Sequence, residues 1–314
     1  MQKTLPWNFV ASAAYVGTKT VHQHTRYNVN HGEVGGGAAS QPYFRLFGIT
    51  GAERVISPLV YMNYHSFQGT LDRRFSSGLS IQVAYTRSKW TGVCCSESGD
   101  GEPAIAIPQY FKLNRSVMPG DRPDNFRMGF MAELPFGKGK KFAPSRPASL
   151  IVGGWQVNGV FSAYSGGPFS VSAAGASLNA PGSTQRADQV KADVGYTGSI
   201  ASWFDPFAFK PVTDVRFGTA GFNTMRGPGV ANLDASLFRS FNITERFKLQ
   251  FRAEALNFTN TPHFGNPGAN VSNLQLNADG SIRSLGGFTQ ITGVSAPSRL
   301  TDERYFRFGL RIGF

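Results

Sequence analysis

The last eleven residues, Arg304 to Phe314, constrain the fold of this chain most, because they alternate with a period of two. One side of the segment is entirely apolar, and the other consists of arginine and glycine. The apolar side comprises Phe306, Phe308, Leu310, Ile312 and Phe314, and the other side comprises Arg307, Gly309, Arg311 and Gly313. This alternation predicts a β-strand whose two sides meet different surroundings. An ordinary strand of a soluble β-sandwich is the alternative at this point.

The composition favours a β-rich protein whose outer surface need not meet water. Of the 314 residues, 41% are hydrophobic and only 16% are charged, with 37 Gly and 27 Phe. One large soluble β-domain also fits these values. No run approaches the roughly 18 apolar residues of a membrane-spanning helix. If the chain sits in a membrane, closed β-structure is therefore the remaining way to satisfy its backbone there.

The net charge of +12, from 31 Lys and Arg against 19 Asp and Glu, raises the question of a nucleic-acid partner. The sequence contains no basic cluster interleaved with aromatic residues, no helix-turn-helix pattern and no RNA-binding signature. Its arginines are spread along the predicted strands instead. We therefore expect no nucleic-acid partner.

Eight segments alternate in the manner of β-strands. They are Trp7 to Tyr15, Tyr61 to Phe75, Leu79 to Thr86, Asn125 to Leu134, Trp155 to Ser162, Asn232 to Phe241, Phe247 to Ala255 and Arg304 to Phe314. We expect a minor strand at Phe169 to Ser172 to extend the fifth of them. The connections alternate between long and short, and the long ones read as irregular loops. These loops are Gly17 to Pro58, Lys89 to Asp124, Ser165 to Gly229 and Thr259 to Glu303. Short turns at one rim and long loops at the other are typical of outer-membrane β-barrels, whereas sandwiches mix loop lengths at both ends.

The clearest predicted hairpin runs from Asn232 to Ala255. Its second strand has Lys248, Arg252 and Glu254 on one side and Phe247, Leu249 and Phe251 on the other. Burying such charges in an ordinary core would cost several kcal/mol each unless they were paired. The charged side is therefore expected to meet water.

Known catalytic and cofactor motifs are absent from the sequence. There is no Gly-x-Ser-x-Gly elbow, no His-Glu-x-x-His motif, no Walker loop and no Rossmann fingerprint, so we expect neither enzymatic activity nor a cofactor. His22, His24 and His31 lie in a polar loop without a carboxylate pattern, and we expect no metal there. The adjacent Cys94 and Cys95 have the spacing of neither a zinc ribbon nor a redox motif, and their pairing stays open.

A longer set of motifs lies between Phe222 and Pro267. It begins with the run from Phe222 to Gly229, continues through Asn232-Leu233-Asp234 and Phe251-Arg252-Ala253-Glu254, and ends with Pro262-His263-Phe264-Gly265-Asn266-Pro267. In order and spacing, this segment resembles the C-terminal barrel hairpin of TonB-dependent outer-membrane receptors. The Oar-like subgroup common in Acidobacteria is the most similar.

The resemblance implies an all-β fold, namely a section of about eight strands from an antiparallel transmembrane β-barrel, with long extracellular loops and short periplasmic turns. It implies that the terminal strand closes the barrel and ends in an aromatic residue that the barrel assembly machinery reads. The closing strand would present Phe306, Phe308, Leu310, Ile312 and Phe314. The lumen-facing charges would be Lys248, Arg252, Glu254, Arg307 and Arg311.

Compared with that family's barrel of about 22 strands around a plug, this sequence has about eight strands, and it shows no plug, no TonB-contacting box and no signal peptide. We therefore interpret residues 1–314 as a partial barrel domain of a transporter in the outer membrane, and we expect it to form an open curved sheet by itself. The implied partners are outer-membrane lipid, the assembly machinery, the TonB system and a large solute of unknown identity. Two alternatives stay open: a self-contained small barrel with a structural or adhesive role, and a secreted soluble β-protein that binds carbohydrate.

Overall fold

The structure is a computed structural model that describes residues 1–93, 101–137, 140, 142, 151–244, 246–295 and 302–314. Cys94 and Cys95 lie outside the described residues. Among the described helices, none is both long and apolar enough to span a membrane.

The described chain is dominated by one antiparallel sheet of ten strands. Nine of them follow each other in the order β1-β2-β3-β4-β6-β7-β12-β13-β16, and the short β5 pairs with β4. The bounds are β1 Gln2–Leu5, β2 Phe9–Asn28, β3 Arg54–Ser76, β4 Leu79–Val93, β5 Arg115–Val117, β6 Asp124–Glu133, β7 Trp155–Tyr164, β12 Val230–Asn242, β13 Lys248–Leu256 and β16 Tyr305–Gly313. Within the described residues β1 and β16 form the two edges and do not pair with each other, so the sheet is open.

Three two-stranded sheets and a few short helices lie in the long connections. The small sheets are β8 Pro168–Phe169 with β11 Met225–Arg226, β9 Asp188–Gln189 with β10 Phe209–Lys210, and β14 Gln275–Leu276 with β15 Ile282–Ser284. The helix α1 spans Pro42–Phe47, and 3₁₀ turns span Pro6–Asn8, Ala38–Ser40, Pro108–Asn114, Pro206–Ala208 and Val271–Asn273.

All eight predicted long strands are present, but the first three are longer than their alternation indicated. The third continues to Val93, so the predicted start of the second loop at Lys89 is wrong. The predicted loop from Gly17 to Pro58 is wrong at both ends, because β2 and β3 stay paired as far as Asn28 and Arg54. The register shifts twice between Thr20 and Thr25. Each shift moves the side chains to the other face, which erases the period of two that sequence reasoning depends on. His22 and His24 consequently lie in β2 and not in a loop.

Two smaller expectations also fail. Strand β2 begins at Phe9, because Trp7 and Asn8 have positive φ angles in a turn that joins it to the unpredicted strand β1. The segment after Ser165 does not extend the fifth strand. Instead, β8 pairs with β11 in a separate sheet, where the backbone of Gly166 lies against that of Gly227.

Most of the buried apolar core lies in the long connections and not between the sheet and another layer. We call residues 29–53, 101–123, 165–229 and 257–295 the cap. The largest buried cluster joins the last two connections, with Phe204 and Phe288 both fully buried and their ring centroids 5.4 Å apart. A second cluster combines Ile105 and Ile107 with Leu178 and Phe222. The predicted irregular loops are therefore packed against each other into one body.

The cap returns to the terminal strand through a buried polar cluster. The side chain of His263 is 1% exposed, and its Nδ1 lies 2.5 Å from Oδ1 of Asp302. The amide of Asn257 donates from Nδ2 to the carbonyl oxygens of Thr261 and Asp302. These contacts fix the point at which the chain enters β16.

Candidate functional site

The pairing registers separate the side chains of the sheet into two continuous faces. On the first face, Phe251 lies opposite Leu310, and Ala255 lies opposite Phe306. On the second face, Gln250 lies opposite Arg311, and Glu254 lies opposite Arg307. The same two faces continue through β12 and β7 to β2. We call the first the apolar face and the second the polar face.

The two sets of residues that the sequence singled out lie on these opposite faces. Phe306, Phe308, Leu310 and Ile312 share the apolar face. Lys248, Arg252, Glu254, Arg307 and Arg311 share the polar face. Phe314 follows directly after the last paired residue. The lipid-facing and lumen-facing roles assigned to these sets stay predictions.

The charges at this end of the polar face form one exposed ion pair and one partly buried hydrogen bond. Arg307 Nη1 lies 3.8 Å from Glu254 Oε2, with the arginine side chain 65% exposed. Arg252 donates from Nε to Oε1 of Gln250 at 2.8 Å, and its guanidinium lies over the ring of Phe238. Exposed ion pairs of this kind contribute little to stability. They make the surface hydrophilic without fixing it in one arrangement.

A groove of about 500 Å³ lies where the polar face meets the cap. Three adjacent strands, β6, β7 and β12, contribute polar side chains to it, and the cap contributes a short segment. Its lining consists of Gly120, Arg122, Asn125, Arg127, Ser162, Tyr164, Val230, Asn232 and Asp234. A second depression of about 270 Å³ shares Gly120, Arg122 and Asn125 with it and adds Tyr64 and Trp90. Together they form one polar channel along the sheet beneath the cap.

The carboxylates beside this groove are already engaged. Asp121 is buried, accepts from the backbone N–H of Trp90 at 2.6 Å, and pairs with the guanidinium of Arg226. Oδ1 of Asp234 accepts from Asn232 at 3.1 Å and from the backbone N–H of Asn257 at 2.7 Å. Asp121 is therefore neutralised by Arg226, whereas Asp234 accepts only from neutral donors and keeps its negative charge.

The two arginines of the groove have donor groups to spare. Arg122 Nη1 donates to the carbonyl oxygens of Pro119 and Asp121, which accounts for part of its five N–H groups. Arg127 is exposed, and no acceptor in the described part of the chain lies within hydrogen-bond distance of its guanidinium. With Asp121 neutralised by Arg226, the two arginines outweigh the single charge of Asp234, and the groove offers net positive charge together with hydroxyl and amide donors to a ligand.

Sequence reasoning found these residues one strand at a time and did not assemble them. Alternation placed Arg127, Ser162, Asn232 and Asp234 on the polar sides of their strands. Only the pairing register aligns Arg127 with Ser162 and Ser162 with Asn232. No local signal marks Arg122, which reaches the groove from a connection. Among the described residues, no three His, Cys, Asp or Glu side chains lie close enough to hold a metal.

An open antiparallel sheet with one apolar and one charged face, long loops gathered at one rim and an edge strand of aromatic residues defines a section of a transmembrane β-barrel. The sequence model of the family described as outer membrane beta barrel domain matches residues 1–306. The chain therefore belongs to that family and is an outer-membrane protein. No curated protein matches the sequence.

Two solved structures are similar in fold over nearly the whole chain. The outer membrane transporter YddB from Escherichia coli matches 99% of this chain and 31% of its own, with 8% identity and a TM-score of 0.49. The siderophore receptor PiuA from Acinetobacter baumannii matches 98% of this chain and 26% of its own, with 10% identity and a TM-score of 0.41. The chain thus spans about a third or less of the length of these two proteins.

Proposed function

We propose that this chain is a C-terminal part of a TonB-dependent outer-membrane transporter of the Oar-like type. In this proposal the apolar face contacts lipid, the polar face lines the lumen, and the cap receives a large solute for energised uptake. The resemblance of the segment from Phe222 to Pro267 supports the subgroup and the energy source.

The observation that carries the proposal is the continuity between the polar face and the groove beneath the cap. A purely structural barrel wall needs an apolar outer face. It does not need an open channel that runs from the loops along the inner face and is lined by hydrogen-bond donors without acceptors. Arg122, Arg127 and Tyr164 line that channel where it meets the cap. Such an arrangement suits the capture of a polar solute that then moves past the charges of the half-buried Arg252 and the exposed Arg307.

The open edges favour a partial barrel over the self-contained small barrel. A small barrel would need β1 to pair with β16, whereas in the described structure these strands are the free edges. Unpaired backbone groups in hydrocarbon cost several kcal/mol each, so strands outside this chain must complete the wall. The assembly machinery would recognise the terminal aromatic Phe314, and the TonB system would act through the remaining part of the protein.

Solute depletion by intact cells tests the proposal. A strain that produces the whole outer-membrane protein and a strain that lacks it are grown in the same medium, and the medium is compared by untargeted mass spectrometry. We expect the deletion strain to leave behind at least one solute too large for general porins. Dissipating the proton gradient with a protonophore should abolish depletion in the wild-type strain.

Point variants connect that uptake to the groove. Arg127→Ala should slow depletion of the same solute, because it removes an uncommitted guanidinium from the lining. Lys112→Ala, which removes an equal charge from the exposed surface of the cap, should not. Equal depletion by the producing strain and the deletion strain would contradict the proposal. Depletion that is unchanged by the protonophore would contradict it as well.

A further inference from the structure

About ten residues above the short turns, the side chains on the apolar face change from apolar to basic. From Phe9 to Tyr15 on β2 and from Leu79 to Tyr85 on β4, the outward positions are apolar or aromatic. Above them, the outward positions are Gly17 and then Lys19 on β2, His65 on β3, and Arg87 and Lys89 on β4. A tilted strand needs roughly 9–11 residues to cross a bilayer. The change therefore falls where the hydrocarbon ends and the headgroups of the outer leaflet begin.

These basic side chains form one patch on neighbouring strands. His65 lies directly opposite Lys89 in the register, and Phe67 lies directly opposite Arg87. Lys19 lies opposite Asn63, two residues above the level of His65 and Lys89. Neighbouring strands are about 4.8 Å apart and each residue rises about 3.4 Å, which places the backbones of Lys19 and Lys89 roughly 12 Å from each other. Because a lysine side chain spans several ångströms, both ammonium groups can reach a ligand centred over His65.

The patch keeps its positive charge. Arg87 is neutralised by Asp124, with Nη1 2.6 Å from Oδ2, and Tyr85 also donates to that carboxylate. Lys19 and Lys89 are exposed, and none of the described residues forms an ion pair with either. The hydroxyl of Tyr15 lies 2.6 Å from Nδ1 of His65 and holds the ring over the gap between the lysines.

The surface is also concave at this place. A groove of about 560 Å³ borders Tyr15, His65, Phe67, Arg87 and Lys89. From the cap it is lined by Arg226 and Asp121, whose charges pair with each other. Its aromatic floor continues downward into the apolar belt of Leu71 and Val83. A ligand that fills it would therefore combine an anionic head with an apolar tail.

We propose that this patch is a docking site for the phosphorylated headgroup of a lipid in the outer leaflet. The ammonium groups of Lys19 and Lys89 would hold a phosphate, while the acyl chains lie along the apolar face below. Charge complementarity argues for the phosphate, and the continuity of the patch with the apolar belt argues for a lipid rather than a free ion. The two lysines lie on the opposite face of the sheet from the side chains that line the polar groove, although the depression beside Lys89 shares Ser88 and Asp121 with the polar channel. This inference rests on the contact between the apolar face and lipid that is part of the proposed function.

Lipid retention by the purified protein tests this site without reference to transport. The whole outer-membrane protein is exchanged into vesicles of phosphatidylcholine with bisphosphorylated lipid A, extracted in mild detergent, and examined by native mass spectrometry. We expect the wild type to retain lipid A. The double variant Lys19→Gln/Lys89→Gln should retain roughly 30-fold less, because each cation near an anionic headgroup contributes about 1 kcal/mol and the variant removes two.

Three comparisons make the result decisive. The control Lys112→Gln/Lys210→Gln removes the same charge from exposed cap residues and should retain lipid A like the wild type. Lipid A without phosphates should be lost from every variant, and inorganic phosphate should not displace the bisphosphorylated form at millimolar concentration. Heat-modifiable gel mobility identifies variants that are folded. Equal retention by the folded double variant and the wild type would overturn the proposal, and so would displacement by free phosphate.

Discussion

The role of a single residue on this sheet depends on the face that its side chain occupies. Arg239 shows this most clearly, because it lies on the apolar face opposite Phe251 and Trp155 yet is only 9% exposed. Its guanidinium lies over the rings of Trp155 and Phe241, and Nη1 donates to the carbonyl oxygen of Ile151 near the short-turn rim. A long side chain can place its charge at an interface while its stem covers apolar surface. An arginine on the apolar face is therefore compatible with lipid contact at this height.

The face assignment gives a direct prediction at residue scale. Replacing Phe251 or Leu310 by Arg should lower the free energy of unfolding by ~2–4 kcal/mol, because a charge would enter hydrocarbon near mid-height. The same replacement at Gln250, next to Phe251 but on the polar face, should be tolerated. Denaturant unfolding of the whole protein in vesicles measures both. Equal losses at Phe251 and Gln250 would show that the faces have been assigned wrongly.

At the scale of elements, the cap is held by close backbone packing. A Cβ added to Gly166 would overlap the carbonyl oxygen of Gly227, where β8 and β11 approach each other. We expect Gly166→Ala to destabilise the cap by about 1–3 kcal/mol, the usual cost of forcing atoms into a packed site. Gly175→Ala is the matched control, because a Cβ there meets nothing within 4 Å. Limited proteolysis of the cap should distinguish the two variants, and equal protection would contradict the packing argument.

A second element-scale prediction concerns the pH dependence of the cap. Asp188 is 4% exposed and accepts from Arg216 Nη1 at 2.9 Å and from Arg216 Nη2 at 2.8 Å. Hydrogen bonding to Arg216, aided by the backbone N–H of Thr219, lowers the pKa of Asp188 below its ordinary value of 3.8, although burial opposes the shift. Because the pKa of Asp188 is lower in the folded state, its ionised form stabilises the cap at pH values above the ordinary pKa. This stabilisation is lost as the pH falls through the pKa of the folded state.

We therefore expect the protease resistance of the cap to decline as the pH falls below about 4. Asp188→Asn should be less resistant than the wild type at pH 7 and should show a smaller decline on acidification. An acid-active protease applied to the whole protein between pH 2 and pH 7 measures this. Asp279→Asn is the control, because its carboxylate is exposed and bonds only locally to Ser281. An identical pH profile for Asp188→Asn and the wild type would count against the role of this pair.

At the scale of the whole molecule, the open sheet decides how the chain behaves by itself. Strands β1 and β16 are free edges in the described structure, and the terminal strand is exposed along its whole length. Free edges in a membrane leave N–H and C=O groups unsatisfied, and free edges in water promote pairing with other chains. The cap, which has its own buried clusters, does not cover these edges.

Residues 1–314 produced alone and refolded in detergent should therefore aggregate or stay sensitive to protease. The whole outer-membrane protein should instead show the heat-modifiable gel mobility of a closed barrel. Size-exclusion chromatography and proteolysis of the isolated chain measure this outcome. A compact, resistant monomer would favour the self-contained small barrel and contradict the proposed partial barrel.

The sequence by itself determined the eight long strands, their order of short and long connections and the two sides of each strand. These features are local, because a period of two records directly which side chains leave the sheet on the same side. The hairpin from Asn232 to Ala255 and the strand from Arg304 to Phe314 were predicted nearly to their ends for this reason. The family resemblance likewise rested on a contiguous segment.

Only the tertiary structure decided the upper halves of β2 and β3, the cap and the groove. The upper strands escaped prediction because register shifts interrupt their alternation, and the cap escaped because its buried residues, such as Ile105, Phe204 and Phe288, come from different connections without a common period. The groove joins Arg122 of one connection to side chains of three strands. Contacts between residues far apart in the chain depend on pairing register and packing. Neither can be predicted from the pattern of a single short segment.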